Sequence, residues 1–145
     1  MFKRIMVPTD GSEHAKDALK KAVELQKLCG AELFILSVYR HYGLLEKSLS
    51  MVRPEDPENI DDALQAHSKT MAEDFKKLAV ELGSDKPRAF VKSGHPARTI
   101  VKFADDKEID LIVLGSRGLG DVDGFLLGSV SHKVTSLAKC PVMVI

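Results

Sequence analysis

The chain has 145 residues, of which 44% are hydrophobic, and this length is enough for one domain with a sizeable core. Its 21 basic and 21 acidic residues cancel, so no overall field points to nucleic acid or to a membrane surface as a partner. No apolar run approaches the roughly 20 residues that span a bilayer, and no signal peptide is expected. The two cysteines, Cys29 and Cys140, match no metal-binding spacing, which predicts reduced thiols in a cytoplasmic protein.

The first part of the chain has the pattern of a strand, a helix, a second strand and a long connection. Residues 2–8 form a short apolar run that predicts a buried strand. Residues 9–30 place small and apolar side chains at helical spacing, and Gly30 stands where a left-handed C-terminal residue is expected. Residues 31–39 predict a second strand. Residues 40–57 show no strand pattern and are interpreted as a long loop, a type of segment that is often functional.

The middle of the chain predicts another helix, strand and helix. A helical pattern begins at Glu58 and ends at Gly83, with His67 on its apolar stripe. Residues 88–92 predict a short third strand. Residues 95–108 predict a third helix.

The last part of the chain combines two strands with a glycine-rich loop and a helix. Residues 109–115 are almost continuously apolar, as is typical of a strand that is covered on both faces. Five glycines follow within residues 115–128. A helix is predicted from about residue 129 to 138, and residues 140–145 predict a final strand.

Strands and helices alternate along the whole chain, which implies right-handed crossovers and a parallel sheet between helices. We expect one domain over residues 1–145 with a Rossmann-like α/β fold of three layers. Its core is an open, twisted, five-stranded parallel sheet with strand order 3-2-1-4-5 and helices on both faces. In such sheets ligands bind beyond the carboxyl ends of the strands where the winding direction reverses, here between strands one and four. The loops "PTDGS" and "GSRGLG" would then line one crevice.

The glycine-rich loop contains Gly115, Gly118, Gly120, Gly124 and Gly128. It matches neither the P-loop, because the Lys-Ser/Thr pair is missing, nor the dinucleotide fingerprint G-x-G-x-x-G. A strand, a glycine-rich turn and a helix start can nevertheless aim several main-chain N–H groups at an anion, and the helix dipole adds positive charge. Turn glycines followed by an ordinary serine cap are the alternative, and the residues alone leave both interpretations open.

The spacing Gly115-x2-Gly118-x9-Gly128-Ser129 resembles the G-x2-G-x9-G-[S/T] motif of the ATP-binding branch of the universal stress protein family. The segments "MVPTDGSEHAKDAL", "SGHPARTIVKFADDKEIDLIVLGSRG" and "CPVMVI" are also similar to that family, so the resemblance covers nearly the whole chain. It implies an adenine nucleotide alpha hydrolase-like fold that binds ATP. The implied adenine and ribose contacts are Pro8, Thr9, Asp10 and Val38. The implied phosphate contacts are Gly115, Arg117, Gly118, Gly128, Ser129, Val130 and Ser131.

Three of the acidic residues at these loops have two interpretations each. Asp10 can accept hydrogen bonds from ribose hydroxyls, or it can be the N-cap of the first helix with Glu13 completing a capping box. Asp121 and Asp123 place negative charge inside the phosphate loop. A Mg²⁺ ion can bridge them to a triphosphate, and the alternative is that both are solvated loop acids.

The five histidines suggest no reaction centre. They are His14, His41, His67, His95 and His132. No two of them show convincing metal spacing, and no Ser-His-Asp or Cys-His set can be assembled, so neither a catalytic residue nor a protein metal ligand is assigned. The expected structural roles are a core or rim position for His67 and a cap of the third helix for His95. His132 is placed near the phosphate loop.

The final strand, residues 140–145, is apolar and is expected at an edge of the sheet. An exposed flat apolar edge promotes aggregation unless something covers it, and pairing with a second copy about a two-fold axis would cover it. The family resemblance implies such a homodimer.

These observations favour an ATP-binding regulatory module of the stress response with little catalytic power. The first alternative is a slow ATPase or self-phosphorylating enzyme, with Ser129 or Ser131 as the acceptor. The second is a nucleotide-free interaction domain in which the glycines only make turns. A flavin or dinucleotide site is the most distant alternative.

Overall fold

A computed structural model of the chain describes residues 1–40, 57–118 and 127–145, in which strands and helices alternate. The strands are β1 Arg4–Thr9, β2 Glu32–Tyr39, β3 Arg88–Ser93, β4 Leu111–Leu114 and β5 Val142–Val144. The helices are α1 Glu13–Cys29, α2 Pro57–Glu81, α3 Pro96–Asp106 and α4 Ser129–Leu137. Each predicted strand and helix is therefore present, with small differences at its ends.

The strands form one parallel sheet with the order β3-β2-β1-β4-β5. This confirms the predicted Rossmann-like architecture and its strand order. The central strand β1 pairs with β2 along its full length, but it pairs with β4 only at Ile5↔Leu111 and Met6↔Ile112. Beyond these pairs the carboxyl ends of β1 and β4 are no longer joined, so a crevice opens at the point where the winding direction reverses.

Successive side chains of β1 point to opposite faces of the sheet, and each face has its own hydrophobic cluster. Ile5 and Val7 pack with the apolar sides of α1 and α2. Met6 packs with the apolar sides of α3 and α4. The sheet is thus covered on both faces, which explains the continuous apolar runs of its central strands.

The two ends of α1 follow from local sequence signals. Ser12 is the N-cap, and its Oγ accepts a hydrogen bond from the N–H of Ala15 at 3.2 Å. The helix ends at Gly30, whose φ of 68° is left-handed, and the Gly30 N–H donates to the Gln26 carbonyl at 2.8 Å. The prediction of a C-terminal glycine is confirmed.

The predicted core or rim position of His67 is wrong, because His67 is exposed on α2. The neighbouring Ser68 is buried instead, and its Oγ is 2.5 Å from the Oγ of Ser37 on β2. The most buried positions of α2 are Ser68, Ala72, Phe75 and Ala79, which are spaced by four, three and four residues. The buried face of α2 thus combines Phe75 with small residues, and it excludes His67.

Several predictions lie wholly or largely outside the described residues. They concern the long loop at 40–57, His41, Gly120, Gly124, Asp121 and Asp123. Within the described ranges, no helix has the length and apolar character needed to cross a bilayer. Both cysteines are free thiols, and burial raises the pKa of the Cys140 thiol above its ordinary value.

Candidate functional site

A cavity of about 190 Å³ lies at the carboxyl ends of β1 and β4, where the two strands separate. It is lined by ten of the eleven residues that the sequence suggests for nucleotide contact, namely Pro8, Thr9, Asp10, Val38, Gly115, Arg117, Gly118, Ser129, Val130 and Ser131. The eleventh, Gly128, is buried at the start of α4 next to Ser129. The fold therefore brings together segments that are more than 100 residues apart in the chain.

The loop after β1 is held by its own side chains. The Thr9 hydroxyl accepts from the N–H of Gly11 at 3.0 Å, and the Asp10 carboxylate accepts from the N–H of Ser12 at 2.9 Å. Because Ser12 is the N-cap of α1, the interpretation of Asp10 as the N-cap is wrong. Asp10 instead closes a turn just before the helix, in which its short side chain accepts from the N–H of the residue two positions later, Ser12. Its side chain lines the cavity from this position.

The start of α4 offers main-chain donors without a side-chain cap. Its N-cap is Gly128, with φ −69° and ψ 167°, and no side chain of the described residues makes a capping hydrogen bond there. The first N–H groups of an α-helix have no intrahelical acceptor and carry the positive end of the helix dipole. Ser129, Val130 and Ser131 form this first turn and also line the cavity. An anion in the cavity is therefore in reach of unpaired N–H groups.

The hydroxyl of Ser131 is directed into the protein, and the residue as a whole is only 4% exposed. It donates to the carbonyl oxygens of Ser116 at 2.9 Å and of Gly128 at 3.0 Å. A hydroxyl has one proton, so Ser131 has none left to donate to a phosphate. The Gly128 N–H is likewise used, since it donates to the Ser116 carbonyl at 2.6 Å. Two of the predicted phosphate-binding groups, the Ser131 hydroxyl and the Gly128 N–H, therefore already have hydrogen-bond acceptors within the protein.

Gly115 lacks a side chain for a reason other than phosphate approach. A Cβ at this position would lie 2.7 Å from both the carbonyl carbon and the Cβ of His14 in α1. Real Cβ atoms do not tolerate such contacts, and main-chain atoms of a helix cannot easily move away. Gly115 therefore leaves room for α1, and it also lines the cavity.

Five further residues line the cavity that the sequence did not single out: Ser12, Ala15, Pro96, Ile100 and Leu114. Pro96 and Ile100 belong to the first turns of α3 and form an apolar wall together with Val38 of β2. The sequence indicated these two residues only indirectly. Every helix of a parallel α/β sheet begins after a strand, so the starts of α1, α3 and α4 can meet at one edge of the sheet. His95 does occupy the N-cap of α3, but its side chain makes no capping hydrogen bond.

The cavity carries little net charge. Among the described lining residues only Asp10 and Arg117 are ionisable, and they carry opposite charges. The described part of the chain contains no cluster of His, Cys, Asp or Glu that could hold a metal ion. His14, His67, His95 and His132 do not line the cavity. Recognition of an anion here would therefore depend mainly on main-chain dipoles rather than on cationic side chains.

A second hollow of about 330 Å³ lies on the other side of α3, and it contains none of the predicted site residues. Its wall includes the cations Lys92, Arg98 and Lys102. The Oδ2 atom of Asp106 lies 3.9 Å from the Nζ atom of Lys102. Nearly all of its lining side chains are exposed or partly exposed, with Phe103 the buried exception. It is a shallow surface groove, whereas the cavity at β1 and β4 is formed by buried elements of the fold.

Comparison with known proteins gives a consistent result over the whole chain. The profile of the Universal stress protein family matches residues 1–145. The chain is 37% identical to universal stress protein YxiE of Bacillus subtilis over 149 residues, covering 100% of this chain and 99% of that protein. It is similar to the solved structure of MJ0577 from Methanocaldococcus jannaschii, with TM-score 0.83, 32% identity and coverage of 100% and 96% of the two chains.

A second solved relative was crystallised with a nucleotide. It is a universal stress protein in complex with cAMP, with TM-score 0.73 and 25% identity, covering 99% of this chain and 96% of that one. A further structure, from Archaeoglobus fulgidus and in complex with dAMP, shares the fold with TM-score 0.69 at 21% identity over 100% of this chain and 98% of that chain.

Proposed function

The chain belongs to the universal stress protein family, and from this premise we propose that it is a regulatory module that binds ATP in the cavity between β1 and β4. The observation that carries the proposal is the start of α4, where three consecutive first-turn residues line the cavity and no described side chain makes a capping hydrogen bond. These N–H groups and the helix dipole are suited to the phosphates. The cAMP complex of a relative supports a nucleotide as the ligand class.

The identity of the residue at position 128 supports the same conclusion. The backbone of Gly128 has φ −69° and ψ 167°, and that of the N-cap Ser12 has φ −70° and ψ 164°. The two positions have almost the same conformation, so glycine is not required at 128 by its dihedral angles. A serine or aspartate there would cap α4 from within, as Ser12 caps α1. Glycine leaves the first turn open to an external anion.

The other side of the cavity suits the base and the ribose. Pro96, Ile100 and Val38 give apolar surface for a flat ring. The Asp10 carboxylate and the main chain at Pro8 and Thr9 line the same cavity and can meet ribose hydroxyls. We propose that ATP enters as its Mg²⁺ complex. Since Asp10 is the only carboxylate among the described lining residues, phosphate oxygens and water would hold the ion.

Isothermal titration of the nucleotide-free protein with ATP, AMP and adenosine tests this proposal. We expect saturable binding of ATP that is tighter than that of adenosine, because adenosine has no phosphate for the α4 start. Acid extraction of the freshly purified protein, followed by chromatography, should release adenine nucleotide. Absence of both a titration signal and an extracted nucleotide would remove the proposal.

Slow self-phosphorylation is the second candidate, and Ser129 is its favoured acceptor. Ser129 is exposed and lines the cavity, whereas the Ser131 hydroxyl is buried and bonded to carbonyl oxygens. Incubation with radiolabelled ATP and phosphopeptide mapping should then place any label on Ser129. Label on Ser131 would contradict this choice, and no label above a heat-killed control would leave the binding function alone.

We also propose a homodimer in the cytoplasm. In the described residues β5 pairs with β4 on one side only, and Val142, Met143 and Val144 are half-buried. A second copy could continue the sheet at this edge and cover it. Two free thiols are consistent with a reducing compartment. Light scattering after size-exclusion chromatography should give twice the 15.9 kDa chain mass. In the Val142→Lys variant the measured mass should fall to that of a single chain.

A further inference from the structure

The main chain of Ser116 joins three segments at the edge of the cavity. Its carbonyl oxygen accepts from the Gly128 N–H at 2.6 Å and from the Ser131 hydroxyl at 2.9 Å. Its N–H donates to the carbonyl of Ile145 at 2.8 Å. The Ile145 N–H in turn donates to the Leu114 carbonyl at 2.9 Å. The loop after β4, the start of α4 and the residue after β5 are therefore one hydrogen-bonded unit.

Within this unit Ser131 makes the side-chain link. Its hydroxyl is buried, and both of its acceptors are main-chain carbonyls, one at Ser116 after β4 and one at Gly128 before α4. The same N-terminal turn of α4 presents its N–H groups to the cavity. A shift of this turn relative to Ser116 would move all of those donors together, because they belong to one rigid helical turn.

We infer that Ser131 is a positioning residue: it fixes the first turn of α4 against the Ser116 carbonyl, and through the Ser116 main chain against the residue after β5, so that the N–H donors converge on the phosphates. This inference rests on the proposed function. Ser131 contributes to binding without a side-chain contact to the ligand, because its hydroxyl proton is committed to the carbonyls of Ser116 and Gly128.

The test compares Ser131→Ala with a matched control on the same helix. Ser136→Ala removes a hydroxyl that also donates to a main-chain carbonyl, that of His132 at 2.9 Å, but at an exposed position away from the cavity. We expect Ser131→Ala to weaken ATP binding by about five- to tenfold, the effect of one buried hydrogen bond. Adenosine affinity should stay the same, and Ser136→Ala should bind both as the unaltered protein does. Ser131→Thr keeps the hydroxyl and should restore ATP binding.

Amide hydrogen exchange measured without nucleotide provides a second, independent readout. The Gly128 amide is protected by its bond to Ser116, and it should exchange about five- to tenfold faster in Ser131→Ala than in Ser136→Ala. Unchanged exchange at Gly128 would overturn the inference, as would equal losses of ATP and adenosine affinity. If the unaltered protein binds no ATP, the proposed function fails, whereas the exchange rates still decide whether Ser131 holds this turn.

Discussion

Of the three helices that begin at the cavity, α1 and α4 start with nearly the same backbone conformation but with different caps. The N-cap Ser12 of α1 accepts from the Ala15 N–H, and the loop before it is closed by Thr9 and Asp10. The N-cap Gly128 of α4 has no side chain to offer, and its first turn has no side-chain cap. At α1 the chain itself supplies a side-chain acceptor to a first-turn N–H, whereas at α4 no described side chain makes a capping hydrogen bond. The two starts therefore differ in the cap and not in the backbone conformation.

The largest expected effect comes from giving α4 the kind of cap that α1 has. In Gly128→Asp the carboxylate would accept from the first-turn N–H groups and repel phosphates. We expect ATP affinity to fall about a hundredfold, equivalent to roughly 2.7 kcal/mol, in isothermal titration. Gly128→Asn has nearly the same size without the charge and should lose less. If Gly128→Asp bound ATP as tightly as the unaltered protein, the open start of α4 could not be the phosphate site.

Gly115→Ala tests the other explanation for a glycine at this site. The new Cβ would meet main-chain atoms of His14 at 2.7 to 2.9 Å. We expect the free energy of unfolding to fall by about 3 kcal/mol, measured by urea denaturation. Gly30→Ala is the comparison, since it strains only a left-handed φ with open space around it and should cost about 1 kcal/mol. Equal stability of Gly115→Ala and the unaltered protein would contradict the packing explanation.

Removing the cap of α1 should affect stability more than phosphate recognition. Ser12→Ala deletes the acceptor of the Ala15 N–H, and we expect a loss of about 1 kcal/mol in the free energy of unfolding. Thermal and urea unfolding would measure it. The ratio of ATP to adenosine affinity should change little, because the proposed phosphate site is the start of α4 and not that of α1. A large fall in that ratio would show that both helix starts take part in phosphate binding.

The smallest expected effect is that of Arg117, the only basic side chain among the described lining residues. If main-chain donors dominate, Arg117→Gln should weaken ATP binding only about threefold to fivefold at moderate salt, as expected for a partly exposed charge. Titration at two salt concentrations would separate its screened contribution from that of the amides. If Arg117→Gln lost more ATP affinity than Gly128→Asp, the side-chain charge would contribute more than the main-chain N–H groups, contrary to the proposal.

The fold was largely predictable because its signals are local. The apolar runs of β1 and β4, the helical spacing of α1 and the glycine at its end are all read from neighbouring residues. Alternation of strands and helices then restricts the connections to right-handed crossovers. The error at His67 arose because helical spacing alone does not show where the buried face of a helix ends: Phe75, about two turns further along α2, is buried, whereas His67 is exposed.

The site was only partly predictable, because a residue's membership of the cavity depends on contacts made across the chain. The motif located the start of α4, but the sequence could not distinguish a serine that faces the cavity from one that faces a carbonyl. Ser129 is exposed, whereas Ser131 is buried and its hydroxyl donates to the Ser116 carbonyl, although both residues belong to the first turn of α4. The apolar wall from Pro96 and Ile100 follows a different strand altogether.

The sequence alone determined the order of the elements, the parallel sheet and the glycine just before the last helix, because periodicity and turn chemistry are properties of adjacent residues. Only the tertiary structure decided what each small residue is for. Gly115 is required by the main chain of His14, and Ser131 is held by Ser116. These roles arise from atoms that are close in space and distant along the chain, and no local pattern encodes such a distance.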